Sequence, residues 1–259
     1  MSSERKAEHI EVCLEHDVSS SLSPGWEDVY LSHKSLPEIN LEEIDLSVEF
    51  LGRRLNYPIV LSALTGGHPR SQTVKEVLGR VAQEFNIILE LGSQRSLIED
   101  PHSLSTYSVA RERAPDAFIV ANIGASQLFD QKSSLALSLK QIEECISAVK
   151  ANAVAVHLNF LQEAVMPEGE TRGKGCLEAI TRLASSVSIP VIVKETGSGI
   201  SGSQSHILKD TGAAALDLGG AGGTNMALVE SYRSALHYSH QFEALGKAFT
   251  GWVFPRLFH

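Results

Sequence analysis

The chain has 259 residues, 43% of them hydrophobic, with a mean hydropathy of −0.02 and a net charge of −9. That is enough chain for one large domain or two smaller ones, and the negative balance argues against general affinity for nucleic acid or an anionic membrane surface. No apolar span is long enough for a transmembrane helix, the polar start MSSERKAEHIEV is not a signal peptide, and three cysteines without CxxC spacing (Cys13, Cys145, Cys176) point to a reduced, cytoplasmic setting.

Residues 1–57 lack strand–helix alternation and read as an N-terminal extension. RKAEH near its start sets Arg5, Lys6 and His9 close together, and on a helix Arg5 and His9 share a face. Two adjacent cations with a histidine suit a diphosphate; a solvated terminus is the plain alternative. The extension ends in a hairpin around SVEFLGRRLNYPIV.

From residue 58 onward, short β-prone apolar runs recur: PIVLSAL (58–64), IILEL (87–91), AFIVAN (117–122), AVAVHLN (153–159), PVIVKE (190–195) and AALDL (214–218). Helical patterns lie between them, including SQTVKEVLGRVAQEF and LALSLKQIEECISAVKAN, the latter with Leu135, Leu139, Ile142, Ile146 and Val149 at helical spacing. Continuous apolar strands alternating with amphipathic helices indicate a parallel sheet covered by helices. Nearly every run ends in residues capable of chemistry: LTGG, LGSQR, ANIGAS, HLNFLQE, KETGSG and LGGAGGT. Chemistry after consecutive strands indicates a (β/α)8-type TIM barrel. An open doubly wound sheet, whose ligands gather at one switch point, is the competing architecture. Six strands are clear. After Gly223 there is room for one long helix (MALVESYRSALHYSHQFEALGKAF) and a seventh strand near TGWVF, but not for an eighth. The expectation is an incomplete barrel over residues 58–259.

The glycine turns LTGGH and LGGAGGT let backbone N–H groups approach a ligand. Lys194 ends a strand, where it either pairs with an acid on a neighbouring strand or stands beside the N1–C2=O edge of a flavin. Ser93 and Asn122 could bond the same planar ring, or form turns. Arg95 follows a buried strand. His157 and Asn159, two apart, project to one side of a strand end. Glu163 offers a hard oxygen suited to Mg²⁺. His157 could donate to phosphate, and the neutral Gln162 can orient a substrate but is no strong acid. Together they describe a pocket for a phosphorylated substrate.

In order and approximate spacing, RKAEH, LTGG, GSQR, ANIG, HLNFLQEAVMPEG, VIVKETGSG and GGAGGT resemble type 2 isopentenyl-diphosphate isomerase, a family of FMN-dependent (β/α)8 enzymes. The resemblance runs from Arg5 to at least Trp252 and implies isomerisation of isopentenyl diphosphate to dimethylallyl diphosphate with reduced FMN, NADPH as reductant and Mg²⁺. Arg5 and Lys6 match the substrate-binding pair, and His9 the histidine after it. Ala63, Leu64 and Thr65 match an FMN-binding turn, where the family more often has Met at the position of Leu64. Ser93 matches a residue near flavin and substrate, with Gln94 and Arg95 completing that segment. Asn122, Lys194 and Thr224 match FMN contacts. His157 and Asn159 match pocket residues, with His157 a candidate for the catalytic step. Gln162 matches the substrate-binding glutamine, a second catalytic candidate, and Glu163 the Mg²⁺ ligand. Relatives continue past the tryptophan into a seventh strand, a glycine-rich loop and an eighth segment that anchor the FMN phosphate. The chain is therefore expected to be C-terminally truncated and impaired, and a homo-oligomer if complete. Another FMN-barrel oxidoreductase, or a non-catalytic protein that binds a phosphorylated ligand, is the alternative.

Overall fold

The computed structural model describes residues 2–63, 66–237 and 239–253. The N-terminal extension opens with helix α1 (Ser2–Glu15), on which Arg5, Lys6 and His9 lie within about one turn. Its far end is the hairpin β1 (Val48–Phe50) and β2 (Arg53–Leu55), antiparallel with Phe50 opposite Arg53. The two loop residues, Leu51 and Gly52, both have positive φ (47° and 75°), the backbone that a two-residue hairpin needs to match strand twist.

The six apolar runs form one parallel sheet in chain order: β3 (Val60–Leu61), β4 (Ile88–Glu90), β5 (Ile119–Gly124), β6 (Ala153–His157), β7 (Val191–Lys194) and β8 (Ala215–Asp217). Consecutive parallel neighbours without a reversal of order are what a (β/α)-barrel requires, and a doubly wound sheet reverses at its switch point. The fold is an incomplete barrel whose edges, among the described residues, are β3 and β8. Helices α2 (Pro69–Phe85), α3 (Arg95–Glu99), α4 (Ser105–Arg113), α5 (Leu139–Ala148), α6 (Phe160–Ala164), α7 (Cys176–Ser186), α8 (Gly202–Lys209), α9 (Met226–Leu236) and α10 (His240–Ala248) follow the strands.

Side-chain alternation divides the core in two. Leu89, Leu91, Ile119, Ala121, Ile123, Val154, Val156 and Val193 pack outward with helix residues such as Ala82, Ile142 and Ile180. Ile88, Val120, Ala153, Ala155 and Ile192 face inward, where Leu55, Phe50 and Val48 of the hairpin pack against them. The hairpin thus belongs to the barrel's inner core. By the same parity the inward positions toward the carboxyl ends of β4 to β8 include a polar residue in each strand: Glu90, Asn122, His157, Lys194 and Asp217. In register, His157 stands beside Lys194 and Lys194 beside Asp217.

Three expectations change. The long helix after Gly223 is two, α9 and α10, separated at His237–Ser239. α10 folds back on α9 so closely that a Cβ on Gly246 would lie 2.6 Å from the Ala227 carbonyl. Leu135 stands before helix α5 and is 83% exposed, because Ser138 and Gln141 form a capping box that starts the helix at Leu139. No seventh strand forms over residues 250–253, since Trp252 N–H donates to Phe249 O in a turn and the two rings pack 5.2 Å apart. Phe254 lies outside the described residues.

Candidate active site at the strand ends

The carboxyl ends of the strands enclose a cavity of about 660 Å³, covered by α1. Of the residues marked in the sequence, Arg5, Lys6, His9, Ala63, Ser93, Arg95, Asn122, His157, Asn159, Gln162, Glu163, Lys194 and Thr224 all line it. Leu64 and Thr65 lie outside the described residues. Gln94 does not line the cavity. Its side chain is fully buried, with Nε2 donating to Cys145 O at 2.8 Å and Oε1 accepting from the Asn122 backbone at 3.1 Å. It locks β4 to β5.

The N-terminal helix is a working wall. Lys6 Nζ donates to Ser93 O at 2.7 Å and Tyr107 Oη at 3.0 Å, which pins α1 across the mouth. Burial, and then the positive charge of Arg5, push the Lys6 ammonium down to about 7. Arg5 Nη1 lies 4.0 Å from Met166 Sδ. Arg95 is held by Glu99 at 2.9 Å and by Glu170 at 3.0 Å, and Glu170 also accepts from Ser126 and Ser134.

At the far side, Lys194 is 4% exposed, donates to Glu195 O at 2.7 Å and pairs with Asp217 at 3.3 Å. The sequence reading of Lys194 as the partner of an acid on a neighbouring strand is therefore met by Asp217, and the same side chain lines the cavity. Glu195 Oε2 accepts from the N–H groups of Thr196 and Ser198 and thereby closes the turn. His157 Nδ1 is 2.6 Å from Asn122 Oδ1, which places the ring proton on Nδ1. Burial, then the charges of Lys194, Lys6 and Arg5, hold its pKa near 3. A neutral His157 that donates from Nδ1 to Asn122 has no second ring N–H, so in that tautomer it does not also donate to phosphate.

Glu163 Oε1 accepts from Asn159 Nδ2 at 3.1 Å and Oε2 from the Glu170 N–H at 2.8 Å. Burial raises its pKa, against these donors and Arg5. Asn159 has φ 31°, which turns its side chain back over α6, and its Oδ1 is buried without a hydrogen-bond partner. No cluster of three metal-ligating side chains exists among the described residues. One carboxylate oxygen and one orphan amide oxygen fit Mg²⁺ that takes its other ligands from phosphate and water. A planar ring also fits: glycines 219, 220, 222 and 223 line the cavity without side chains, and Ser93, Asn122 and Lys194 line it with polar groups. The Gly219 backbone is left-handed at φ 49°, and a Cβ there would sit 2.2 Å from Glu195 O.

Sequence reasoning missed Glu230, Glu90, Asp217 and Glu170. Glu230, with no exposed side-chain surface, accepts from His9 Nε2 at 2.8 Å, Gln162 Nε2 at 2.7 Å and Arg233 Nε at 2.6 Å. Glu90 is pushed up to about 7, first by burial, with Lys194 and Asp217 acting in opposite directions. Parity with Ile88 could have found Glu90, and parity with Ala215 could have found Asp217.

Fold and cavity together define a (β/α)-barrel protein whose ligand site is built at its strand ends. No family model matches the chain. Isopentenyl-diphosphate delta-isomerase of Methanosarcina mazei is 43% identical over 254 residues, covering 98% of this chain and 68% of the relative. The Methanoregula boonei protein of the same name is 44% identical over 255 residues, 98% of this chain and 69% of that one. The chain belongs to the isopentenyl-diphosphate delta-isomerase family, and the resemblance read from its motifs stands. Two mandelate oxidase structures align over 97% of this chain and 94% of theirs at 15% and 14% identity, with TM-scores of 0.32 and 0.31, too low to bear on fold or site. No described helix is long and apolar enough to cross a membrane.

Proposed function

We propose that this chain isomerises isopentenyl diphosphate to dimethylallyl diphosphate with reduced FMN, kept reduced by NADPH, and with Mg²⁺. The observation that carries the reading is one cavity holding the cations of α1, the Gln162–Glu163 pair and the glycine wall beside Lys194. Arg5, Lys6 and Arg95 bind the diphosphate, with Glu163 and the Asn159 amide oxygen holding Mg²⁺ against it. Ser93, Asn122, Lys194 and Thr224, with Ala63, Leu64 and Thr65, hold the flavin. Reduced flavin supplies an electron-rich ring and an exchangeable proton beside the alkene. Lys194 stabilises negative charge at the ring edge, while Asp217 keeps that ammonium in place. His157, neutral and bonded to Asn122, orients the amide beside the ring. Gln162 orients the hydrocarbon end, and α1 excludes water from it. Oxidation of a hydroxy acid gives Gln162 and Glu163 no task.

The test is to purify the chain, quantify bound flavin, and follow conversion of isopentenyl diphosphate with NADPH and Mg²⁺. Turnover that depends on both flavin and Mg²⁺, at whatever rate, supports the reading. Diphosphate binding without flavin would replace this reading with the ligand-binding one, and flavin with hydroxy-acid oxidation would replace it with the oxidoreductase one.

A further inference from the structure

Glu230 lies on α9, away from every strand-end motif, yet it joins two cavity residues on different elements. Its Oε1 accepts from His9 of α1 and from Gln162 of α6, and its Oε2 accepts from Arg233. Arg233 is shared in turn with Glu168 at 2.6 Å and Glu8 at 3.4 Å. Burial alone would raise the Glu230 pKa. The His9, Arg233 and Gln162 donors outweigh it and hold the group near 2, so it is a carboxylate.

A glutamine amide is nearly symmetric in shape, and its neighbours decide which end points where. A carboxylate only accepts, so the nitrogen end of the Gln162 amide is turned to Glu230, with one N–H donated to its Oε1. Gln162 is half-buried and lines the cavity, and its carbonyl is the end left over. We infer that Glu230 is a positioning residue that makes Gln162 offer an acceptor oxygen, not an N–H, to the hydrocarbon end of the ligand. The inference rests on the isomerase reading for its consequence. An amide oxygen lowers the energy of positive charge developing on the hydrocarbon and cannot donate a proton to it. Gln162 is then a fixed dipole, and the proton that reaches the alkene comes from another group.

The experiment uses the full chain labelled with ¹⁵N-glutamine, together with Glu230→Gln. That replacement keeps size but can present either an oxygen or an NH2, so it releases the Gln162 amide to turn over. In the parent, the Gln162 side-chain NH2 should exchange with solvent at least about tenfold more slowly than that of exposed Gln204, and Glu230→Gln should abolish the difference. In turnover, Glu230→Gln should lower kcat by roughly ten- to a hundredfold with KM within about threefold, since orientation and not ground-state binding is lost. Parental kcat in Glu230→Gln, or exchange unchanged by it, overturns the inference. If the variant does not fold, the parent decides alone: a Gln162 NH2 exchanging as fast as that of Gln204 overturns it, and a protected one supports it. The exchange readout needs no substrate, so the two readings fail separately. A protected amide in a parent without turnover sinks only the isomerase reading, and turnover with an unprotected amide sinks only this one.

Discussion

Lys6 offers the sharpest test of how the cavity takes an anion. Its Nζ is bound to Ser93 O and Tyr107 Oη, both neutral, in a setting that burial and Arg5 make unfavourable for charge. With a pKa near 7, about half of the free molecules carry a neutral amine at that pH. A bound diphosphate favours the ammonium, so binding should take up a proton. If only the charged form binds, affinity for inorganic diphosphate with Mg²⁺ falls roughly fifteenfold from pH 7 to pH 8.5 through this group alone. Lys6→Met removes the charged contact, worth about 1.5–3 kcal/mol, and should weaken binding at pH 6.5 by roughly ten- to a hundredfold. It should also remove its share of the pH dependence. The diphosphate's own titration is common to both proteins and cancels in the comparison. Calorimetry in two buffers of different ionisation enthalpy reads the proton uptake directly. Equal pH dependence in parent and Lys6→Met would refute the reasoning.

Glu163→Gln keeps the shape of the side chain but loses the anionic oxygen, so Mg²⁺ should enhance diphosphate binding about tenfold less, with flavin content unchanged. Equal Mg²⁺ titrations would remove Glu163 from the metal site. Lys75, 3% exposed, has Nζ 3.8 Å from the centre of the Tyr107 ring and a pKa pushed down to about 6, first by burial and then by Lys6. Unfolding therefore takes up a proton above about pH 6, and stability rises with pH; Lys75→Met should be the more stable protein near pH 6, its advantage shrinking by roughly 1 kcal/mol per pH unit in urea melts followed by circular dichroism. A constant difference across pH 6–8.5 would contradict that. Gly219→Ala, strained by φ and by the Glu195 carbonyl, should cost about 1–3 kcal/mol in the same melts and loosen flavin binding; an unperturbed melt would show that the turn adjusts freely.

The sheet was legible because its inner strands, β4 to β7, are buried and read as unbroken apolar runs, each followed by residues that a core would not select. The site was legible for the same reason, since thirteen of its marked residues line one cavity. Glu230 was hidden by its helix. In MALVESYRSAL the pair Glu230 and Arg233 has the spacing of an ordinary solvent-facing ion pair, and nothing in the pattern says that this face is buried. The break between α9 and α10 was hidden as well, because no glycine or proline marks it; it comes from tertiary contacts, with Ser231 Oγ donating to Glu243 O and Gly246 seated on Ala227. Propensity favoured one helix, and packing made two.

The partners of the cavity's cations give the pocket a direction. Arg95 and Lys194 are already matched, by Glu99 with Glu170 and by Asp217 respectively. The hydrogen bonds of Arg5 and Lys6 among the described residues go to neutral acceptors: a thioether, a carbonyl and a phenol. An entering anion gains most where positive charge is uncompensated. On the proposed reading the diphosphate therefore goes to α1, with Glu163 and the orphan Asn159 oxygen lining the same cavity for a metal. The glycine wall at 219–223 and Lys194 remain for a ring whose negative charge is diffuse. That asymmetry explains why an N-terminal helix covers the mouth of the barrel. It carries two cations whose hydrogen bonds go to neutral groups, it is seated on Ser93, Tyr107 and Glu230, and on the proposed isomerase reading that seating sets how far the hydrocarbon end of the ligand reaches toward Gln162.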